Sequence, residues 1–260
     1  MPARPATRLL PSLLPALLLA AAATTPRPAL AQAHAGLAPA GGSQAQGDWS
    51  GRGELGLALS KGNTDSESFI GKFDVGYSDT LRKYAFGASA QYATTDGEES
   101  AHRYDLYGTS GFRLDPRRYL YTSLRTGRDD FGTYEYQWTA AAGYGYEAIR
   151  SDRQRLSFEL GPGYRFAKDQ ATRVHHNQAI GRGFADWNLK LTDTATLVDT
   201  LLVESGSENT FSRNLFGVQV AVSKGLAMKA GLETRYNSHV DPGISNTDNL
   251  TTVNLVYDFK

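Results

Sequence analysis

From Trp49 onward the chain alternates apolar and polar positions with a period of two, in short segments broken by Gly, Asp, Asn and Pro. Segment 49–60 carries Leu55, Leu57 and Leu59 on one face; 68–78 carries Phe69, Phe73, Val75 and Tyr77; 83–93 carries Tyr84, Phe86, Ala88, Ala90 and Tyr92. Further segments follow at 103–114, 119–129, 136–146, 155–166, 178–191, 196–205, 215–223, 226–237 and 251–259. In 119–129 neither parity is clearly apolar. No apolar period of 3.6 runs long enough for a helix. The pattern predicts one all-β domain of twelve strands, an even number that returns both termini to one side, as a single-chain outer-membrane barrel requires.

The closing segment reads Thr-Thr-Val-Asn-Leu-Val-Tyr-Asp-Phe, with Val253, Leu255, Tyr257 and Phe259 on one face and Asn254 and Asp258 on the other. An aromatic-ended last strand fits a transmembrane antiparallel up-and-down barrel, and Tyr257 and Phe259 are the candidate membrane-insertion signal. Connections at 79–82, 115–118, 151–154, 191–194 and 224–225 are short. Those at 61–67, 94–102, 130–135, 167–177, 206–213 and 238–246 are longer and polar, which predicts periplasmic turns on one side and outer loops on the other. Aromatic residues group near strand ends, where amphipathic rings favour the lipid interface. Trp49, Tyr77, Tyr84, Phe112, Tyr144, Tyr146, Trp187, Tyr257 and Phe259 would form the periplasmic girdle. Phe69, Tyr92, Tyr104, Tyr136, Trp138, Tyr164, Phe166, Phe216 and Tyr236 would form the outer one.

The start of the chain agrees with export. Arg4 and Arg8 precede an apolar run from Leu9 to Ala23, followed by Ala29-Leu30-Ala31, the pattern of a secretory signal cleaved before Gln32. Pro11 and Pro15 interrupt the run, which is shorter than the roughly 20 apolar residues of a spanning helix. Residues 1–31 are therefore assigned to a signal peptide, 32–48 to a disordered periplasmic leader of small polar residues, and 49–260 to the barrel. The expected location is the outer membrane of a Gram-negative bacterium.

An exported chain with no cysteine has no disulfide framework, so a closed hydrogen-bond network must stabilise it. Lys+Arg equals Asp+Glu at 27 each, which gives no field to attract nucleic acid. The expected partners are outer-membrane lipid, lipopolysaccharide and the barrel-assembly machinery, with the barrel itself a monomer.

Placing the apolar face in lipid turns the opposite parity inward. The lumen-lining candidates are then Arg52, Glu54, Lys72, Asp74, Arg113, Arg125, Glu159, Arg165, Glu233 and Arg235, joined by Asp105, Glu147, Arg182, Asp186, Lys190, Glu204, Lys229 and Asp258, with Glu135 at a strand entrance. Basic and acidic groups nearly balance. If opposite charges pair across the lumen, they plug it; if they segregate onto opposite walls, a transverse field could pass small polar or charged solutes. Twelve strands give a diameter between that of side-chain-filled eight-stranded barrels and wide porins. Gly56, Gly76, Gly87, Gly111, Gly143, Gly145, Gly161, Gly163 and Gly231 also face inward, where relief of strand curvature is the preferred reading over making room.

Enzyme chemistry finds little support. His34 lies in the leader, and His102, His175, His176 and His239 fall in or beside outer loops, near Ser100, Ser207 and Ser238 at best, with no G-x-S-x-G elbow. His175-His176 and the acidic Asp96, Glu98 and Glu99 do not match metal-ligand spacing, and no helix follows the Gly-x-Gly pairs to bind phosphate. No catalytic residue, metal or cofactor is expected.

Several stretches together resemble the family of salt-induced outer membrane proteins, a family of unknown function. They are Trp49-Ser50-Gly51-Arg52-Gly53-Glu54-Leu55-Gly56 followed by Gly62-Asn63-Thr64, then Gly143-Tyr144-Gly145-Tyr146, Gly161-Pro162-Gly163-Tyr164, and the ending Asn254-Leu255-Val256-Tyr257-Asp258-Phe259. The resemblance spans the chain from Trp49, with Lys260 extending past the terminal Phe259. It implies an outer-membrane barrel and supplies no catalytic residues; a response to salt or osmotic conditions is implied by the family name alone. The expectation is a narrow passive pore or a salt-responsive envelope protein. The alternatives are a plugged structural barrel, a lipid-modifying enzyme, and a soluble lipocalin-like binder.

Overall fold

A computed structural model of the chain describes residues 47–60 and 66–259. It contains twelve strands: β1 (Asp48–Ser60), β2 (Ser66–Ser78), β3 (Arg82–Thr95), β4 (Glu98–Arg113), β5 (Arg118–Asp129), β6 (Tyr134–Arg150), β7 (Gln154–Asp169), β8 (His175–Lys190), β9 (Ala195–Gly206), β10 (Thr210–Ser223), β11 (Leu226–Asn237) and β12 (Thr247–Phe259). Each pairs antiparallel with its neighbours in sequence, and β12 returns to β1 from Gly51↔Phe259 to Gly56↔Asn254. The result is the closed antiparallel barrel expected from the alternation. Closure leaves no open strand edge, the condition for a sheet in hydrocarbon.

The burial pattern is that of a soluble protein turned inside out. Leu55, Leu57, Phe73, Phe86, Leu120, Leu160, Val253 and Leu255 are exposed on the outer face, while charged side chains are buried inside. Apolar burial inside is confined to small clusters such as Tyr119 with Tyr121, and Phe184 with Leu202 and Phe211. A lipocalin-like binder would bury the opposite parity, so that alternative is set aside.

The aromatic residues assigned to the two girdles all lie on outward positions of their strands. At the end carrying the termini, Trp49 packs on Tyr77 at 5.2 Å, Tyr77 on Tyr84 at 6.1 Å, and Phe259 on Phe73 at 6.1 Å and Tyr257 at 6.3 Å. Phe259 thus sits in an apron of rings across the β1–β12 seam.

Turn chemistry at that same end is repetitive. Asp79 Oδ1 accepts from the backbone N–H of Leu81 at 2.7 Å and Arg82 at 2.6 Å, Asp115 Oδ1 from Arg117 at 2.8 Å and Arg118 at 2.9 Å, and Thr192 Oγ1 from Ala195 at 2.9 Å. Each side chain supplies the acceptor a tight turn would otherwise lack. The two N–H donors hold the Asp79 carboxyl below the usual aspartate range.

Several boundaries differ from those expected. The 94–102 segment is not a long loop: β3 runs to Thr95, β4 starts at Glu98, and Asp96-Gly97 makes a two-residue hairpin with φ of 52° and 83°. Positive φ at both central residues is what Asp-Gly favours. The 206–213 loop shrinks to 207–209, which puts Arg213 inside β10, and Tyr134 and Glu135 belong to β6. Among the described connections at the loop end, only 238–246 is long, so loop length does not distinguish the two ends. The 61–65 connection, the signal peptide, the leader to residue 46 and Lys260 lie outside the described residues; Asp48, assigned to the leader, is the first residue of β1.

The inward glycines serve two purposes. A Cβ on Gly143 would lie 2.2 Å from the Leu160 carbonyl oxygen, and one on Gly161 2.1 Å from that of Ala142. Between them the β6–β7 ladder breaks off after Ala141↔Gly163 and resumes at Tyr144↔Leu160 in the same register, beside Pro162, which has no N–H to give. Here glycine permits close backbone approach. At Gly145 and Gly87, by contrast, a Cβ would enter the rings of Tyr119 and Tyr107, so those glycines do make room for inward tyrosines.

Gly143→Val should prevent barrel closure, read as loss of the heat-shifted band on an unheated gel. Phe73→Arg, which places a charge on the lipid face, should cost about 2–4 kcal/mol near mid-bilayer in a urea titration in lipid vesicles.

Candidate functional site

The lumen is the candidate site, and its chemistry follows from strand parity. One-residue alternation sends Arg52 and Glu54 of β1, Lys72 and Asp74 of β2, Arg113 of β4, Arg125 of β5, Glu159 and Arg165 of β7, and Glu233 and Arg235 of β11 to the inner face. What they meet depends on how the barrel brings distant strands together.

Toward the end with the termini, Arg52 Nε donates to Asp258 at 2.6 Å. Glu147 accepts from Lys83 Nζ at 2.5 Å and Arg113 at 3.3 Å. Farther in, Lys229 Nζ donates to both oxygens of Glu54 at 2.6 and 2.7 Å, and Asn254 adds a bond at 3.2 Å. Asp74 accepts from the Tyr107 hydroxyl, and Glu159 accepts from Tyr119 at 3.0 Å and Arg182 at 2.8 Å. The Arg182 guanidinium lies over the rings of Tyr121 at 5.0 Å and Phe184 at 5.4 Å.

Two carboxylates organise the half toward the loops. Glu204 accepts from Arg125 at 2.5 Å and Arg165 at 3.4 Å, and Arg165 also donates to the backbone carbonyls of Asn209 and Glu204, each at 3.0 Å. Glu233 accepts from Arg213 at 2.9 Å, Arg235 at 2.6 Å and Lys72 at 3.2 Å. Arg235 then reaches Asp105 at 2.6 Å. This last pair joins β11 to β4, with four strands between them along the shorter arc, and Arg125–Glu204 joins β5 to β9 across three. These bonds cross the lumen.

The charges therefore pair; they do not segregate onto opposite walls. Arg52, Arg165 and Glu204 are each 1% exposed, so water scarcely reaches side chains that a pore would keep wet. The cavity between Asp105, Tyr107, Arg125, Arg182, Glu204 and Arg213 has a volume of about 40 Å³. That is room for a few ordered waters between the side chains.

Several of these groups escape a reading by strand parity alone. Arg213 falls within the expected 206–213 loop and so is not counted as lumenal. Tyr107, Tyr119 and Tyr121 face inward against the usual habit of barrel aromatics; the signal that points to them is the glycine opposite, Gly145 for Tyr119 and Gly87 for Tyr107. Lys83, by contrast, is readable from parity alone, since its neighbour Tyr84 faces outward, though it is not among the expected lumenal residues. In the ambiguous 119–129 segment, Tyr119, Tyr121, Ser123 and Arg125 face the lumen and Leu120 and Leu124 face out.

The described histidines lie at the loop rim. His102 Nδ1 is 2.7 Å from Asp130 Oδ2 and its Nε2 2.8 Å from the Tyr104 hydroxyl, while His176 is 3.0 Å from Glu208. Ser100, one of the serines considered as a nucleophile, accepts from Thr95 at 3.0 Å. Among the described residues no three His, Cys, Asp or Glu side chains gather as a metal site.

By sequence, the chain is 25% identical over 203 residues to the "Uncharacterized protein YdiY" of Escherichia coli (strain K12), covering 78% of this chain and 80% of that protein. Similar solved structures include the translocator domain of the autotransporter NalP from Neisseria meningitidis, at 14% identity, TM-score 0.44, and coverage of 82% of this chain and 86% of that one. The NanC porin is similar at 12% identity, TM-score 0.45, and coverage of 81% and 98%. A family model described as "Protein of unknown function, DUF481" matches residues 53–259, a description that says nothing of salt induction. Since that match takes in every strand apart from the beginning of β1, the chain belongs to this family of unknown function.

Proposed function

We propose that this protein is an outer-membrane barrel of a Gram-negative envelope that is closed at rest, a structural barrel whose lumen is held shut by its own ion pairs. The observation that carries this reading is the Arg235–Asp105 bond across the lumen at 2.6 Å, flanked by Glu204 and Glu233 with their cations. A guanidinium bound on both sides by carboxylates, Asp105 and Glu233, cannot swing aside for a solute without leaving a charge unpaired in a low-dielectric interior. Such a lattice resists opening far more than the free arginines of a solvated pore would.

Outward apolar side chains and the ring apron around Phe259 support residence in a bilayer, with lipid and lipopolysaccharide as neighbours and Tyr257 and Phe259 offered to the assembly machinery. A part in salt or osmotic response is compatible with a closed barrel and rests on the resemblance alone.

The test is planar-bilayer conductance of the refolded mature chain, with a heat-shift gel reporting folding. Wild type should be silent. Asp105→Ala combined with Arg235→Ala should give discrete steps, and in that background Arg125→Glu should move selectivity toward cations. Reproducible steps from the wild type would reject the closed lumen in favour of the narrow passive pore. Separately, Glu204→Ala strands Arg125 and Arg165 and should cost about 3–5 kcal/mol in urea titration. The triple variant Glu204→Leu, Arg125→Met and Arg165→Met, which removes all three charges and keeps most of their volume, should recover most of that loss.

A further inference from the structure

One charged side chain breaks the rule that charges face inward. Among the described residues, Asp199 is the one Asp, Glu, Lys or Arg on the outward face more than two residues from a strand end; Arg82, Arg118, Arg128 and Lys168 all lie at the ends. It is the fifth residue of the twelve-residue β9. With a rise of about 3.3 Å per residue and a tilt of about 40°, this puts it roughly 10 Å above the strand's terminus-side end, on the membrane side of the girdle and level with Trp187, its neighbour in the register. An ionisable group at that depth is costly and calls for a partner.

Its partner inside the chain is incomplete. Asn214 Nδ2 donates to Asp199 Oδ1 at 2.7 Å and to the Thr200 carbonyl at 3.1 Å, which uses both amide hydrogens. The second carboxylate oxygen receives no hydrogen bond from any described residue. Beside it in the register stand Trp187 on β8 and Phe216 on β10. The Trp187 indole N–H likewise has no acceptor among the described residues. A donor and an acceptor at neighbouring positions therefore both lack partners on one lipid-facing surface.

The adjoining surface is flat. Gly181, Gly183 and Ala185 face outward on β8, and a Cβ added at either glycine would meet nothing within 4 Å. Small residues of this kind let another backbone approach closely in a membrane. Acyl chains fill such a surface but bring no donor to a carboxylate. A second copy of the chain does so automatically, because a two-fold axis along the membrane normal brings each outward residue opposite its equals at the same depth.

We propose that the β8–β10 face is the contact between two copies of this chain in the membrane, with the Trp187 N–H of each copy donating to the free Asp199 oxygen of the other. The small residues of β8 set the close approach, and the reciprocal bonds set the register. Any other protein offering a donor at this depth is the rival occupant.

The absence of cysteine makes the test direct. Purified mature chain carrying Ala185→Cys is refolded into lipid vesicles at high lipid-to-protein ratio, oxidised, and run unheated without reductant. A band at the mass of two copies is expected, with none from Ala88→Cys on β3, across the barrel. Adding Asp199→Leu or Trp187→Phe to the Ala185→Cys chain should lower the cross-linked fraction about tenfold while the heat shift persists, since either substitution removes both reciprocal interchain hydrogen bonds, together worth about that much in lipid. Native mass spectrometry of the wild type from nanodiscs should give two copies, which covers a failure of the cysteine variant to fold. A single copy there, equal cross-linking at Ala88→Cys, or undiminished cross-linking with Asp199→Leu would overturn the proposal.

Discussion

On the proposed residence in a bilayer, every backbone amide in this sheet must find its partner within the protein, because lipid offers none and each unsatisfied group costs several kcal/mol. That constraint closes β12 onto β1 and fixes everything downstream. Once the sheet is a ring, each strand has an inside and an outside, and alternation decides which residues face outward. The apolar parity goes out, and among the described residues every charge in the middle of a strand except Asp199 goes in.

The inward charges would be ruinous singly. They are tolerated because the ring is narrow enough for long side chains to span it: Arg235 of β11 reaches Asp105 of β4, and Arg125 of β5 reaches Glu204 of β9. A wider barrel would leave those groups to water and so to conduction. Tyr107, Tyr119 and Tyr121 fill what the ion pairs leave over, each hydroxyl or ring face set against a charge. Diameter, side-chain length and charge balance therefore act as a single condition on whether the lumen is open.

The period-two pattern makes the strand number, the inward identity of Arg52, Glu54 and Glu233, and the outward identity of Phe73 and Tyr257 legible from sequence, because parity is a local property. Pairing is not legible, since it depends on the stagger of strands four or five places apart around the ring, which no local pattern encodes. The segment 119–129 resists because Tyr119 and Tyr121 are apolar by composition and lumenal by position, so that both faces read alike. Asp96-Gly97 is a readable hairpin signal masked by the polar residues on either side of it, which look like loop but extend β3 and β4. Asp199 draws no attention because nothing in its neighbourhood marks it except its parity.

The ladder that closes the ring is also its shortest. β1 meets β12 over the span from Gly51↔Phe259 to Gly56↔Asn254, whereas β1 meets β2 from Asp48↔Ser78 to Ser60↔Ser66. The hairpins form between residues close in the chain, while the seam joins residues roughly two hundred apart, so its ends must be brought together at the largest loss of chain entropy for the smallest return in hydrogen bonds. The order of assembly follows: eleven hairpin ladders can zip in succession, and the seam comes last, after the final strand has been made. Until then both Arg52 and Asp258 sit on open edges, and their bond at 2.6 Å is a signature of completed closure.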